Sequence, residues 1–156
     1  MTLRELRKNK GITQQQASDF VGVPLRTYSN YETDPAKQTS IKYKYMMEKL
    51  FTYGYVDEEN GILTVDEIKE ACVSVLSGYP VEYCYLFGSY AKGKATPTSD
   101  VDLFVYTTVS GLKFYGLVEE LREKLKKKVD VLDQKQIADN FELTNEILKD
   151  GIKLYG

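Results

Sequence analysis

The chain has no histidine among its 156 residues. That absence removes serine–histidine and cysteine–histidine nucleophilic sites, and every histidine-ligated zinc site. Acid–base or metal chemistry must come from aspartate, glutamate, lysine or tyrosine, and carboxylate oxygens favour hard cations such as magnesium. Cysteine is scarce. Cys72 and Cys84 sit in apolar stretches (EACVSVL, VEYCYLF), form no CxxC pair and no disulfide framework, and read as buried free thiols of a cytoplasmic protein. No apolar run reaches membrane-spanning length. The opening MTLRELRKNKG is charged by its fourth residue and lacks the apolar stretch of a secretory leader. Internal repeats and low-complexity tracts are missing as well.

Charge of both signs is present, but unevenly. Residues 1–55 carry 9 Lys+Arg against 5 Asp+Glu, whereas residues 56–156 carry 12 against 18. A basic first third joined to an acidic remainder suggests two modules with different partners. The expected division is a helical module over 1–56, a linker over 57–63 containing the turn signal DEENG, and a second module over 64–156.

In the first module, residues 3–9 read as a short helix stopped by Gly11. Thr13 with Gln16 fits a capping box, and Ala17, Phe20 and Val21 follow at helical spacing. Gly22 makes a turn, Pro24 suits a first helical position, and LRTYSNYE continues as a helix. DPAKQTS reads as a loop, and IKYKYMMEKLFTYG as a further helix. LRELRKNKGITQQQASDFVGV and PLRTYSNYE resemble the helix-turn-helix of the phage-repressor-like (XRE-type) family. That resemblance implies a second helix in the major groove of operator DNA, with Arg26, Thr27, Ser29 and Asn30 reaching base edges. Gln14 and Gln15, at the start of the preceding helix, would meet phosphates or bases. Arg26 suits guanine and Asn30 suits adenine. The recognition helix carries one basic residue, so tight binding to a palindromic site needs a dimer.

The second module alternates helix and strand: helix over 64–77, strand over 81–87, a short helix after Gly88, strand over 100–106, helix over 111–128, strand over 128–132, helix over 141–151 and a short strand at IKLY. This is an α/β or α+β pattern. The basic end of the long helix, LREKLKKKV, fits complementation of the helix dipole. Within it, LFGSYAKGKATPTSDVDLFVY stands out. Side chains alternate along a strand, so Asp100 and Asp102 face one way while Val101, Leu103 and Val105 face a core. Two like charges held together call for a cation, and magnesium binds one or two carboxylates plus substrate phosphates. Gly88 lets a ligand approach the backbone closely, and Ser89 with the following N–H groups suits phosphate oxygens.

FGSYAKGKATPTSDVDLFV resembles the core motif of the polymerase-β-like nucleotidyltransferases, and more closely the minimal nucleotidyltransferase (MNT) subfamily, over roughly residues 64–156. The resemblance implies a mixed sheet flanked by helices, with Mg2+ and ATP as the nucleotide donor. Gly88, Ser89, Lys92 and Ser99 would then bind the nucleotide, and Asp100 and Asp102 would hold the metal. It also implies a third carboxylate on a neighbouring strand. KKKVDVLDQ offers Asp130 and Asp133; Asp133 with Gln136 is explained as a helix cap, so Asp130 is the choice. The family often has arginine where this chain has Lys92, which keeps the charge and loses the bidentate fork. Proteins of this kind are commonly antitoxins that transfer AMP from ATP to a tyrosine of a HEPN-type ribonuclease toxin. The resemblance therefore implies a cytoplasmic antitoxin that represses its own operon, as a homodimer or a hetero-oligomer with the toxin. The alternative is a DNA-binding transcriptional regulator whose transferase fold is inactive and binds nucleotide or toxin.

Overall fold

Local capping decides where the first helices begin. Thr2 and Glu5 exchange side-chain and backbone bonds at the start of α1 (Leu3–Asn9), and Thr13 and Gln16 do the same for α2 (Gln14–Val21). Gly22, at φ 79°, ends α2 in the left-handed conformation that glycine adopts without strain. Pro24 stands one position before α3 (Leu25–Thr33) rather than inside its first turn. The segment expected as a loop holds a 3-10 turn at Pro35–Thr39, because Asp34 accepts from the Ala36 N–H. Ser40 caps α4 (Ile41–Phe51). The computed structural model describes residues 1–156, and the chain divides into two compact units, Met1–Tyr55 and Val56–Gly156.

The first unit closes over Leu3, Leu6, Ala17, Val21, Tyr28, Tyr43, Met46 and Leu50. A buried polar brace ties its first three helices together. Arg7 Nε donates to Glu32 Oε1 at 2.6 Å, and Gln14 Nε2 donates to Glu32 Oε2 at 2.8 Å. The Glu32 side chain is 1% exposed. Burial alone would raise its pKa, but the bonds from Arg7 and Gln14 outweigh burial and hold the carboxyl below its usual range.

The second unit begins with α5 (Val65–Leu76), capped by Thr64. Then follow β1 (Val81–Phe87), α6 (Gly88–Ala91), β2 (Val101–Thr107), α7 (Leu112–Leu125), β3 (Val129–Asp133), α8 (Gln134–Ile137), α9 (Phe141–Asp150) and β4 (Ile152–Tyr155). The sheet is mixed, with order β3-β2-β1-β4. β2 runs parallel to β3, while β1 is antiparallel to both β2 and β4. Val101, Leu103 and Val105 face the core built with α5 and α7, as the alternation predicts. The opposite face is not simply polar. Phe87 and Phe104 pack there with Ile147 of α9, so β2 is largely buried on both sides. No helix is long and apolar enough to cross a membrane.

One expectation needs correction. The lysines after α7 do more than complement its dipole. The helix stops at Leu125, Lys126 turns left-handed at φ 57°, and this sends Lys127 inward to 1% exposure. Its Nζ donates to the carbonyls of Asn60 at 3.1 Å, Gly61 at 2.7 Å and Pro97 at 2.6 Å. Lys127 thus pins both the 57–63 segment and the loop before β2. Replacing it with methionine keeps the length and strands the three carbonyls. Lys127→Met is expected to lower stability by about 1–3 kcal/mol, read from the denaturation midpoint. An unchanged midpoint would remove the pinning role.

Candidate active site

Gly88 sits where β1 passes into α6, with a left-handed backbone at φ 73°. The strand register sets Phe87 opposite Asp102, so the turn lands beside that carboxylate. A β-carbon on residue 88 would collide with the Asp102 carboxylate. The left-handed backbone favours glycine here, and a larger residue would also have to displace the Asp102 carboxylate. Ser89 follows, half-buried, and Lys92 closes α6 with its N–H bonded to the Gly88 carbonyl at 3.2 Å. Ser99 accepts from the Thr96 N–H at 2.8 Å, closing the turn that leads into Asp100.

The carboxylates come from three places. Asp100 lies one residue before β2 rather than within it, and Asp102 is the second residue of that strand. The parallel register pairs Asp102 with Asp130 of β3. Both occupy the face turned away from the α5–α7 core. Asp130 is exposed and Asp102 half-buried. Burial, followed by the charges of Asp130, Asp100 and Glu146, pushes the Asp102 carboxyl up to about 6. All of those charges are negative. Asp133 stays outside this set. It caps α8 through the N–H groups of Lys135 and Gln136, as its spacing predicts.

Glu146 escaped the sequence reading. It projects from α9 and accepts an ion pair from Lys92, Nζ to Oε1 at 2.8 Å. In the sequence it is one of several acids on an amphipathic helix, which usually means a solvated face, so no local signal marked it. The ion pair raises the Lys92 pKa, the hydrogen bond to Glu146 contributing most.

No three of these side chains are gathered closely enough to cage a cation unaided. Their chemistry nonetheless fits magnesium. Asp102 and Asp130 stand side by side on adjacent strands, and the repulsion registered at Asp102 is what a hard cation relieves. Magnesium takes few carboxylates and fills its shell with water and phosphate oxygens.

In the first unit, Arg26 and Asn30 are exposed four residues apart on α3, hence on one helical face. Thr27 and Ser29 are half-buried. Gln15 is exposed and donates to Asp19 at 3.0 Å, whereas the Gln14 amide is committed to Glu32.

Comparison with known proteins bears on both units. Residues 70–156 match the family described as polymerase beta, nucleotidyltransferase. Residues 3–44 match the family described as helix-turn-helix. The candidate protein adenylyltransferase MJ1215 of Methanocaldococcus jannaschii is 38% identical over 80 residues, spanning 47% of this chain and 93% of that protein. A second from the same organism, MJ0126, is 35% identical over 84 residues, spanning 50% of this chain and 86% of its own length. The solved structure of a candidate minimal nucleotidyltransferase superimposes with TM-score 0.50 at 26% identity, covering 64% of this chain and 97% of that one. A toxin–antitoxin structure with AMP-PNP shares the fold with TM-score 0.50 at 24% identity, covering 56% of this chain and 73% of that one.

The raised pKa of Asp102 has a direction that can be checked. The native protein holds a proton there that the unfolded chain, with an ordinary carboxylate, releases at lower pH. Stability from this group therefore falls as pH rises from about 4 to about 6. Asp102→Asn should stabilise the fold at pH 7.5 by about 1 kcal/mol, allowing for solvent screening. The gain should vanish near pH 4. Equal gains in chemical denaturation at both pH values would mean that burial and crowding of the Asp102 charge are not the cause.

Proposed function

The chain belongs to the polymerase beta nucleotidyltransferase family, and from that premise we propose that it is an antitoxin transferring AMP from ATP to a tyrosine of a HEPN-type ribonuclease toxin. The observation that carries the reading is the pairing of Asp102 with Asp130 directly against the Gly88 turn. The relatives described as candidate protein adenylyltransferases, matched over most of their length, support a protein acceptor. The AMP-PNP in the fold neighbour is consistent with an adenine nucleotide as donor.

In this reading the Gly88–Ser89 turn and Lys92 hold phosphate oxygens. Asp100, Asp102 and Asp130 would hold magnesium, which supplies positive charge at the α-phosphate and at the departing pyrophosphate. Asp130, exposed at its strand, accepts the proton of the acceptor hydroxyl. The tyrosine oxygen then bonds to the α-phosphorus, and the bond from that phosphorus to the bridging oxygen breaks. Pyrophosphate departs with the electron pair.

The helix-turn-helix unit supports a second role, repression of the chain's own operon. Arg26 and Asn30, exposed on one face of α3, are the side chains free to reach base edges. Gln15 is the exposed phosphate candidate, since Gln14 braces Glu32. A regulator with a catalytically inactive transferase fold remains the competing reading. It draws on the Lys92–Glu146 ion pair, which engages the one cation expected at the phosphates.

The test uses ATP labelled at the α-phosphate, the purified full chain and a HEPN-type toxin. Label is expected on a toxin tyrosine, and Asp100→Ala and Asp102→Ala should each reduce transfer on the order of a hundredfold or more. Transfer that survives both substitutions would remove the site assignment. Absence of transfer by the native chain, with operator binding intact, would favour the regulator. In anisotropy assays on the upstream DNA, Arg26→Ala should cost about 1–3 kcal/mol of specific binding and leave transfer unchanged.

A further inference from the structure

We propose that Glu146 is a displaceable partner for Lys92, a positioning residue that sets how readily the Gly88 turn takes up a polyphosphate. This rests on the nucleotidyltransferase reading of the site.

The two ends of the ion pair are tethered to one apolar cluster. Phe87, the residue before Gly88, and Ile147, the residue after Glu146, are both buried and pack together with Phe104. The end of α9 is closed by the Gly151 N–H, which donates to the Ile147 carbonyl at 2.9 Å. Rotation of either side chain is enough to part Lys92 from Glu146, with the backbone left in place.

Both side chains are about a third exposed, at 36% and 31%. An ion pair that open to water is weak enough to exchange. Lys92 carries one positive charge, and Glu146 already engages it at 2.8 Å. A polyphosphate entering the Gly88 turn must compete for the same ammonium. When it wins, Glu146 is left without its partner, beside Asp102 and facing new negative charge. The carboxylate thus weakens binding of the bare polyphosphate.

Tripolyphosphate and ATP are the probes, with binding to the full chain measured by titration calorimetry and with unfolding midpoints recorded as a fold control. Glu146→Gln should tighten binding of both about three- to fivefold. In steady-state transfer it should lower KM for ATP by a similar factor with kcat little changed, since the ion pair lost is made in the free protein and is broken equally in the ground and transition states. The gain should largely disappear when Glu146→Gln is combined with Lys92→Met. A loss of affinity in Glu146→Gln would overturn the proposal, because Glu146 would then be pre-setting Lys92 for phosphate. An equal gain with and without Lys92 would also overturn it, reducing Glu146 to simple repulsion. Coupled binding in a protein that transfers to no acceptor would overturn the transferase reading and leave the exchange standing. Transfer without coupling would overturn the exchange alone.

Discussion

Asp102 and Asp130 occupy paired positions on parallel strands, and the repulsion between them is the constraint around which the second unit is arranged. Strand pairing, not the carboxylates, supplies the energy that keeps them together. Val101, Leu103 and Val105 on one side and Val129 and Val131 on the other lock the two strands to the helices behind them. The carboxylates face the opposite way, beside a left-handed turn where a β-carbon would displace the Asp102 carboxylate. Burial first, and then the neighbouring negative charges, push the Asp102 carboxyl up to about 6. A site whose carboxylates cost stability in the absence of positive charge is one that trades stability for electrostatic preorganisation.

The first unit solves a different problem with the opposite electrostatics. Its four short helices share a small core, and the Arg7–Glu32–Gln14 brace adds geometric definition where the first three meet. Such a buried pair fixes how helices meet more than it adds net stability. The face of α3 that carries Arg26 and Asn30 is oriented by this brace from behind. The polar residues of the unit therefore divide into those that hold the helices in register and those left exposed.

Much of this was legible in the linear chain. The capping signals at Thr13 and Asp133 are local, and each appears as read, because a cap depends on residues three positions apart. The alternation through Val101, Leu103 and Val105 is equally local. Three features were not legible. Phe104 turned the carboxylate face of β2 partly apolar because α9 covers it. Lys127, read as part of a basic helix end, is buried on carbonyls contributed by residues 60, 61 and 97. Glu146 reaches Lys92 from 54 positions further along the chain.

The sequence by itself determined the catalytic candidates, their spacing, the strands and helices expected to carry them, and the presence of two modules of opposite charge. Those properties depend on backbone periodicity and on residue chemistry, which short stretches encode. Only the tertiary structure decided which carboxylate is perturbed, which lysine is buried and which acid claims Lys92. Each of these is set by the electrostatic and steric surroundings of a side chain, and those surroundings are assembled from segments that have no fixed relation along the chain until the sheet has formed.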